Sequence, residues 1–241
     1  MKKKESLVIV GKGAFGDLIE KFLKPHFSVQ FVRRSDTDLE IKEKISGCRV
    51  LIFSVPMIGL EYSIMRTKNY VARETLVIDV TSVKVKPLHL LKKHFKHNQV
   101  LGTHPILGPQ SVKKNKNSLA GLPLVLCQET TSDKTYKKIK QFCKKELGCR
   151  VIEQTAAQHD KEMAHVQGLS HFIGRALKQL DIANYQTSTE SYRQLVELKD
   201  LLAGDSWELF ETIENTNPEA KKVRKKFVLE LAKIEKKLAS K

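Results

Sequence analysis

The chain contains no run of eighteen apolar residues, which excludes a membrane-spanning helix as an expectation from sequence. Its opening Met-Lys-Lys-Lys-Glu-Ser imitates the basic end of an export signal. The apolar run that follows extends only from Leu7 to Val10 before Gly11 and Lys12 interrupt it, the length of a first β-strand and not of a leader. Paired cysteines are also missing: Cys48, Cys127, Cys143 and Cys149 stand apart, with no Cys-x-x-Cys and no His/Cys ligand spacing. Reduced thiols, no metal site and a cytoplasmic location are expected from that pattern. There is no internal repeat, low-complexity linker or long charged tail. Acidic residues are scarce, 27 against 43 basic ones, giving a net charge of +16. Such a balance marks some nucleic-acid binders, but here lysines such as Lys137, Lys138, Lys140, Lys144 and Lys145 are spread through helix-forming stretches without interleaved aromatics. The expectation is a solvated basic surface that favours an anionic substrate and cofactor; nucleic acid is disfavoured as a partner.

What is present is an alternation. With 241 residues, 41% hydrophobic and 29% charged, the chain is long enough for one large domain or two modest ones with a real core. Leu7–Val10, Ser28–Val32, Val50–Val55, Leu76–Val80, Val100–Leu101, Pro123–Cys127 and Arg150–Ile152 are short apolar runs of strand length, separated by stretches of helical period. Strands alternating with helices predict a doubly wound parallel sheet. From about residue 154 the pattern is helical to the end. Ala156–Leu180 reads as one long helix, followed by helices near 189–203 and 205–216. A last one carries Val223, Phe227, Leu231, Ile234 and Leu238 as a nearly heptad stripe suited to packing against the helical domain or a partner subunit. The domain division is expected at 1–154 and 155–241.

Gly11-Lys-Gly13-Ala-Phe-Gly16 directly follows the first strand and opens a helix. This is the Rossmann-type dinucleotide spacing: the first glycine allows the tight turn, the second lets the backbone approach a pyrophosphate, and the third lets helix and strand pack closely. The second strand ends in Arg33-Arg34-Ser35, where an NAD site places a carboxylate for the ribose 2′-hydroxyl. Two guanidinium groups and a hydroxyl suit the 2′-phosphate of NADP. The other reading has two surface arginines, with Asp36 or Asp38 serving the ribose of NAD. Farther on, Gly102-Thr-His-Pro-Ile-Leu-Gly-Pro109 places His104 in a turn rigidified by Pro105 and Pro109, just past a short strand. There it is either a loop cap or a catalytic base. Asp79-Val-Thr-Ser-Val-Lys84 ends the fourth strand with Ser82 and Lys84 toward the crevice, unless Ser82 only caps the next helix. His159, Met163, Gln167 and His171 recur every four residues and share one helix face, as site residues or as ordinary interdomain contacts.

Taken in order, the glycine turn, Phe53-Ser-Val-Pro56, Asp79–Lys84, Gly102–Pro109 and His159-Asp160 through His171 resemble the prephenate/arogenate dehydrogenase family of tyrosine biosynthesis. The resemblance implies a nucleotide-binding domain followed by an all-α domain that forms a homodimer. It implies NADP, or less favourably NAD, held by Gly11, Gly13, Ala14, Phe15, Gly16, Arg33, Arg34, Ser35, Ser54, Val55 and Pro56. His104 would draw the proton from a ring 4-hydroxyl as hydride leaves that carbon, Ser82 would share the hydroxyl and orient the histidine, and CO2 loss would make the product aromatic. Lys84, Gln110, His159, Gln167 and His171 would contact the small anionic substrate. One departure stands out. Many prephenate-specific members carry an arginine in the later helices, whereas here the register falls on Leu198 or Asp200. That segment looks more like the short arogenate enzymes of plant type, leaving Lys199 or Arg193 to supply a cation. A monofunctional enzyme is expected. Another NADP-linked reductase of this fold, or a non-enzymatic nucleotide or nucleic-acid binder, is the alternative.

Overall fold

The structure is a computed structural model describing residues 4–240; Met1–Lys3, with the start of the basic N-terminal stretch, Lys241 and the side chain of Pro109 lie outside the described residues. The chain divides into two compact units, Met1–His159 and Asp160–Lys241.

In the first unit the apolar runs form β1 (Ser6–Val10), β2 (Ser28–Val32), β3 (Val50–Phe53), β4 (Leu76–Asp79), β5 (Val100–Pro105), β6 (Pro123–Gln128) and β7 (Arg150–Glu153). Between them lie α1 (Ala14–Leu23), α2 (Asp38–Ile45), α3 (Met57–Thr67), α4 (Val85–His94), α5 (Pro109–Lys114) and α6 (Asp133–Lys145). They build one seven-stranded sheet in the order β2-β1-β3-β4-β5-β6-β7. Side chains alternate across it with the period of two that strands impose. Val8 and Val10 join Ile41 and Ile45 of α2, Leu60 and Ile64 of α3 and Leu88 and Leu91 of α4 on one face. Leu7 and Ile9 join Leu23 of α1, Val112 of α5 and Cys143 of α6 on the other. Both faces are covered by helices, as a buried parallel sheet requires, and the architecture is doubly wound and Rossmann-type.

The sheet departs from the simple expectation at β5. Strands β1 to β5 pair in parallel, but β5 and β6 are antiparallel, with His104 opposite Val125. The strand therefore runs through His104 to Pro105, and the histidine sits inside a paired strand where the sequence suggested a turn. The pairing partner lies some twenty residues downstream, out of reach of any local pattern. Gly102 is explained by the same packing: a Cβ there would lie 2.9 Å from Leu88 of α4 and 3.2 Å from Cys127 of β6. Because β1 to β5 run in parallel, their carboxyl ends gather the glycine turn and the connections after β2, β3, β4 and β5 along one edge.

The second unit is helical. α7 (Ala156–Met163), which spans the division between units, runs into a π-helical segment, Ala164–Leu169, and then α8 (Ser170–Gln179). The expected single helix is thus continuous but wider in its middle. Four residues overshoot an α-turn by about 40°, and a π turn, longer by about one residue, takes up that drift. The spacing of Met163, Gln167 and His171 stays in phase as a result. α9 (Glu190–Leu201), α10 (Trp207–Glu211) and α11 (Pro218–Ala239) follow, their first turns capped by the side chains of Thr189, Ser206 and Asn217. Among the described residues no helix is long and apolar enough to cross a membrane.

At the carboxyl end of β4, Asp79 and Lys84 form an ion pair in which both side chains are fully buried. The Asp79 carboxylate also accepts the Thr81 amide (3.1 Å) and hydroxyl (3.2 Å), and Thr103 on β5 donates to the Asp79 carbonyl (3.0 Å). Removing one partner strands a charge in the core. Lys84→Met is therefore expected to lower the free energy of unfolding by about 3–5 kcal/mol, measured by urea denaturation at unchanged slope; a loss below about 1 kcal/mol would show the pair to be structurally dispensable.

Candidate active site

The glycine turn can be tested position by position. Gly11 has φ +105°, and a Cβ there would lie 2.4 Å from the Ser54 carbonyl and 2.7 Å from a Val55 methyl. Only glycine fits that conformation and that approach of β1 to the β3 loop. At Gly16 a Cβ would lie 2.5 Å from the Gly11 carbonyl, so the helix can start this close to the strand only without a side chain. At Gly13 nothing lies within 4 Å. Its backbone faces open space, and as the N-cap of α1 it brings no side-chain cap. The amides of Ala14 and Phe15 in the first helical turn are open to an anion. A tight turn, an open approach and a close helix together fit a dinucleotide pyrophosphate, with Ser54, Val55 and Pro56 on the adjoining loop.

The β2 tip separates two readings of the cofactor. Asp36 is buried, accepts the Arg33 amide (2.8 Å) and pairs with Lys44 (2.5 Å). Burial works against its charge, but the Arg33 amide and Lys44 outweigh it and hold the carboxyl below its ordinary value. Asp38 is exposed and paired with Arg66 (3.2 Å). Arg66 on α3 also donates to the carbonyls of Arg34 (3.2 Å) and Asp36 (2.5 Å). Both carboxylates are thus committed to shaping the loop, while Arg33, Arg34 and Ser35 remain exposed on it. Arg66 is a residue the sequence did not single out, because its contacts lie about thirty positions upstream.

His104 is buried, and its Nδ1 lies 2.8 Å from Nε2 of His159, itself fully buried on α7 and part of the same compact unit. The rings meet edge-on at 5.0 Å between centroids. Burial first, then the neighbouring His159 and Lys84, keeps the His104 imidazole well below the ordinary histidine pKa, so it is neutral at pH 7 with proton-accepting capacity. Ser82, half-buried, lies in the Asp79–Lys84 connection. Lys84, expected to reach substrate, is enclosed with Asp79, and its charge is one of the causes that lower the His104 pKa. His159, also expected on substrate, lies against His104. Gln110 lies exposed on the second residue of α5.

In the helical unit, His171 is buried with Nε2 3.7 Å from Asp205. Burial lowers its pKa, reinforced by Arg175 and opposed by Asp205. Arg175, one helical turn on, donates to the Asp205 (2.5 Å) and Ser206 (3.1 Å) carbonyls and lies over Trp207 and Phe210. It is a fixed cation that the sequence reading did not name; its spacing of four from His171 was the available signal. The Gln167 Oε1 is buried without a hydrogen-bond partner in the structure. Asp200 is exposed beside Lys199 (3.3 Å), whose amine donates to the Ile182 carbonyl, and Arg193 pairs with Glu190.

Comparison with known proteins agrees with this arrangement. Residues 28–153, just over half of the chain, match the family described as "Prephenate dehydrogenase, nucleotide-binding domain", and residues 176–241 match "TYRAAT1-like, C-terminal domain". Arogenate dehydrogenase 2, chloroplastic, of Arabidopsis thaliana is 28% identical over 237 residues, covering 89% of this chain and 64% of the relative. Arogenate dehydrogenase 1, chloroplastic, of the same plant is 30% identical, covering 91% and 37%. The chain thus spans under two thirds of the length of these relatives. Among solved structures, prephenate dehydrogenase from A. aeolicus, in complex with hydroxyphenyl propionate and NAD+, superimposes with a TM-score of 0.76 at 17% identity, covering 99% of this chain and 92% of that one. Synechocystis arogenate dehydrogenase gives 0.70 at 16%, covering 98% and 92%. At such identities these two establish the fold alone. By the match over residues 28–153, which carry β2 to β7, this chain belongs to the prephenate dehydrogenase family.

Proposed function

We propose that the protein catalyses the NADP-dependent oxidative decarboxylation of arogenate, or of prephenate, with arogenate ahead. The observation that carries the chemistry is the neutral, desolvated His104 at the strand edge that also holds the glycine turn. Arogenate is favoured by the two plant relatives named for it and by the acidic Asp200 and Asp205 in the later helices, which suit the ammonium that arogenate carries where prephenate has a ketone.

Gly11, Gly13, Ala14, Phe15 and Gly16 would hold the pyrophosphate, Ser54, Val55 and Pro56 would flank the nicotinamide half, and Arg33, Arg34 and Ser35 would hold the 2′-phosphate. The bound nicotinamide supplies a two-electron acceptor for hydride. His104 Nε2 accepts the proton of the ring 4-hydroxyl, and the O–H electrons form the carbonyl as hydride leaves the same carbon. The ring carboxylate then departs as CO2, its bonding electrons complete the aromatic ring, and the proton returns from His104 to the phenolic oxygen. Ser82 shares the hydroxyl hydrogen bond. Lys84 keeps His104 neutral by its positive charge, without touching substrate. Gln110, Gln167 and His171 remain the proposed contacts to the anionic substrate. The exposed Val228, Leu231, Ile234 and Leu238 of α11 suit a second copy, and we assign a homodimer. The four cysteines are free and buried, consistent with a cytoplasmic enzyme.

Initial rates with arogenate and prephenate, each with NADP and NAD, test this reading. The expected outcome is turnover with NADP preferred, and a fall in kcat of about 10²–10⁴ in His104→Ala while NADP affinity is retained. Near-normal turnover in that variant would falsify the assigned base. Arg33→Asp should move the ratio of kcat/KM for NADP over NAD toward NAD by at least about tenfold, since the carboxylate repels a 2′-phosphate; an unmoved ratio removes Arg33 from the site.

The pH dependence follows from burial. Since His104 releases its proton more readily folded than unfolded, the acid limb of kcat/KM should lie below the ordinary histidine value of about 6.5. The unfolded chain binds more protons in that range. The stability contributed by the neutral imidazole is therefore complete above about pH 6.5 and is lost as the pH falls toward the depressed folded value. Rate profiles and thermal melts between about pH 5 and 8 check both; a limb centred at or above the ordinary value contradicts the assignment.

A further inference from the structure

The contact between the two buried imidazoles constrains which nitrogen of His104 is free to act. One hydrogen lies between His104 Nδ1 and His159 Nε2, 2.8 Å apart. A neutral imidazole carries a single N–H. If His159 donates, His104 accepts on Nδ1, its own proton is on Nε2, and it offers substrate a donor. If His104 donates, its proton is on Nδ1 and Nε2 is left with the lone pair that a substrate hydroxyl needs. Only the second arrangement takes up a proton.

We propose that His159 is a positioning residue that keeps the proton of resting His104 on Nδ1, presenting Nε2 as the acceptor. The inference rests on the reading of His104 as the base. In this arrangement His159 is the neutral ring that accepts from Nδ1 both before and after His104 takes up the substrate proton. The hydrogen bond between them becomes charge-assisted as His104 becomes imidazolium, and such bonds are roughly twice as strong as neutral ones. It is the role a buried carboxylate plays in a serine-protease triad, filled here by an uncharged partner. A carboxylate would attract a proton onto His104 at rest, whereas a neutral acceptor fixes the tautomer and leaves the base unprotonated.

The surroundings of His104 disfavour its protonation at rest. Lys84, paired with Asp79 in the β4–α4 connection, opposes a positive charge on His104. Opposite His104, β6 presents the apolar Val125. Asp160, the next residue after His159 on α7, is buried as well.

The test combines kinetics with ¹⁵N spectroscopy of the histidine rings in the intact chain. Resting wild-type protein should show His104 protonated on Nδ1 and bare on Nε2. In His159→Leu the Nε2–H form should appear and kcat with arogenate or prephenate should fall about hundredfold, with the NADP dissociation constant and substrate KM within about twofold. His159→Gln, whose side-chain carbonyl also accepts a hydrogen bond, should restore most of kcat and the Nδ1-protonated form of His104. If His159→Leu keeps the wild-type kcat and ring spectrum while His104→Ala is inactive, the positioning role is overturned and the base stands. Turnover in His104→Ala overturns the base itself. If His159→Leu does not fold, the wild-type spectrum decides: resting His104 protonated on Nε2 excludes the proposal.

Discussion

The site depends on a charge pair enclosed at the end of β4. Two fully buried opposite charges are tolerable only when close together and satisfied by further hydrogen bonds. Asp79 meets that condition through Lys84 and Thr81, and its carbonyl is tied to β5 by Thr103. The pair fixes the connection that carries Ser82 and aligns it with the strand that carries His104. It also leaves an ammonium near the imidazole, one of the causes that hold His104 neutral. Structural and electrostatic roles therefore reside in the same atoms, so a substitution at Lys84 alters the loop and the base together.

Burial explains why an imidazole serves here. A carboxylate in the same pocket would have its pKa raised by desolvation and, beside Lys84, lowered again, with its proton affinity set by two opposing effects. For a histidine, burial and the adjacent positive charge act in the same direction. The cost is that a buried imidazole must satisfy both nitrogens. His159 meets this need at Nδ1.

The strands were legible in the sequence because each is a short apolar run bounded by breakers. The glycine turn was legible because its three positions have different steric demands, each with a counterpart in the structure: Gly11 by its positive φ, Gly13 by open space and Gly16 by contact with the Gly11 carbonyl. The reversal of β6 was not, since strand direction is decided by pairing between distant segments and leaves no local trace; His104 was assigned to a turn for that reason. Lys84 and Asp36 show a second limit. Sequence spacing indicates that a charged residue lies near the strand ends but not whether its charge is already satisfied, and both are committed to internal partners. The contact between His104 and His159 spans 55 positions, and no periodicity links a strand residue to a helix residue at that distance.

The place where the chain divides bears on how the chemistry is organised. His159 lies on the nucleotide-binding side of the division, one residue before it. Both imidazoles, the Asp79–Lys84 pair and the glycine turn therefore belong to a single compact unit. The helical unit holds a separate cluster: a buried His171 beside Asp205, and Arg175 fixed by two carbonyls and two aromatic rings. A proton acceptor needs sub-ångström placement relative to the hydride acceptor, and positions set within one packed sheet meet that demand directly.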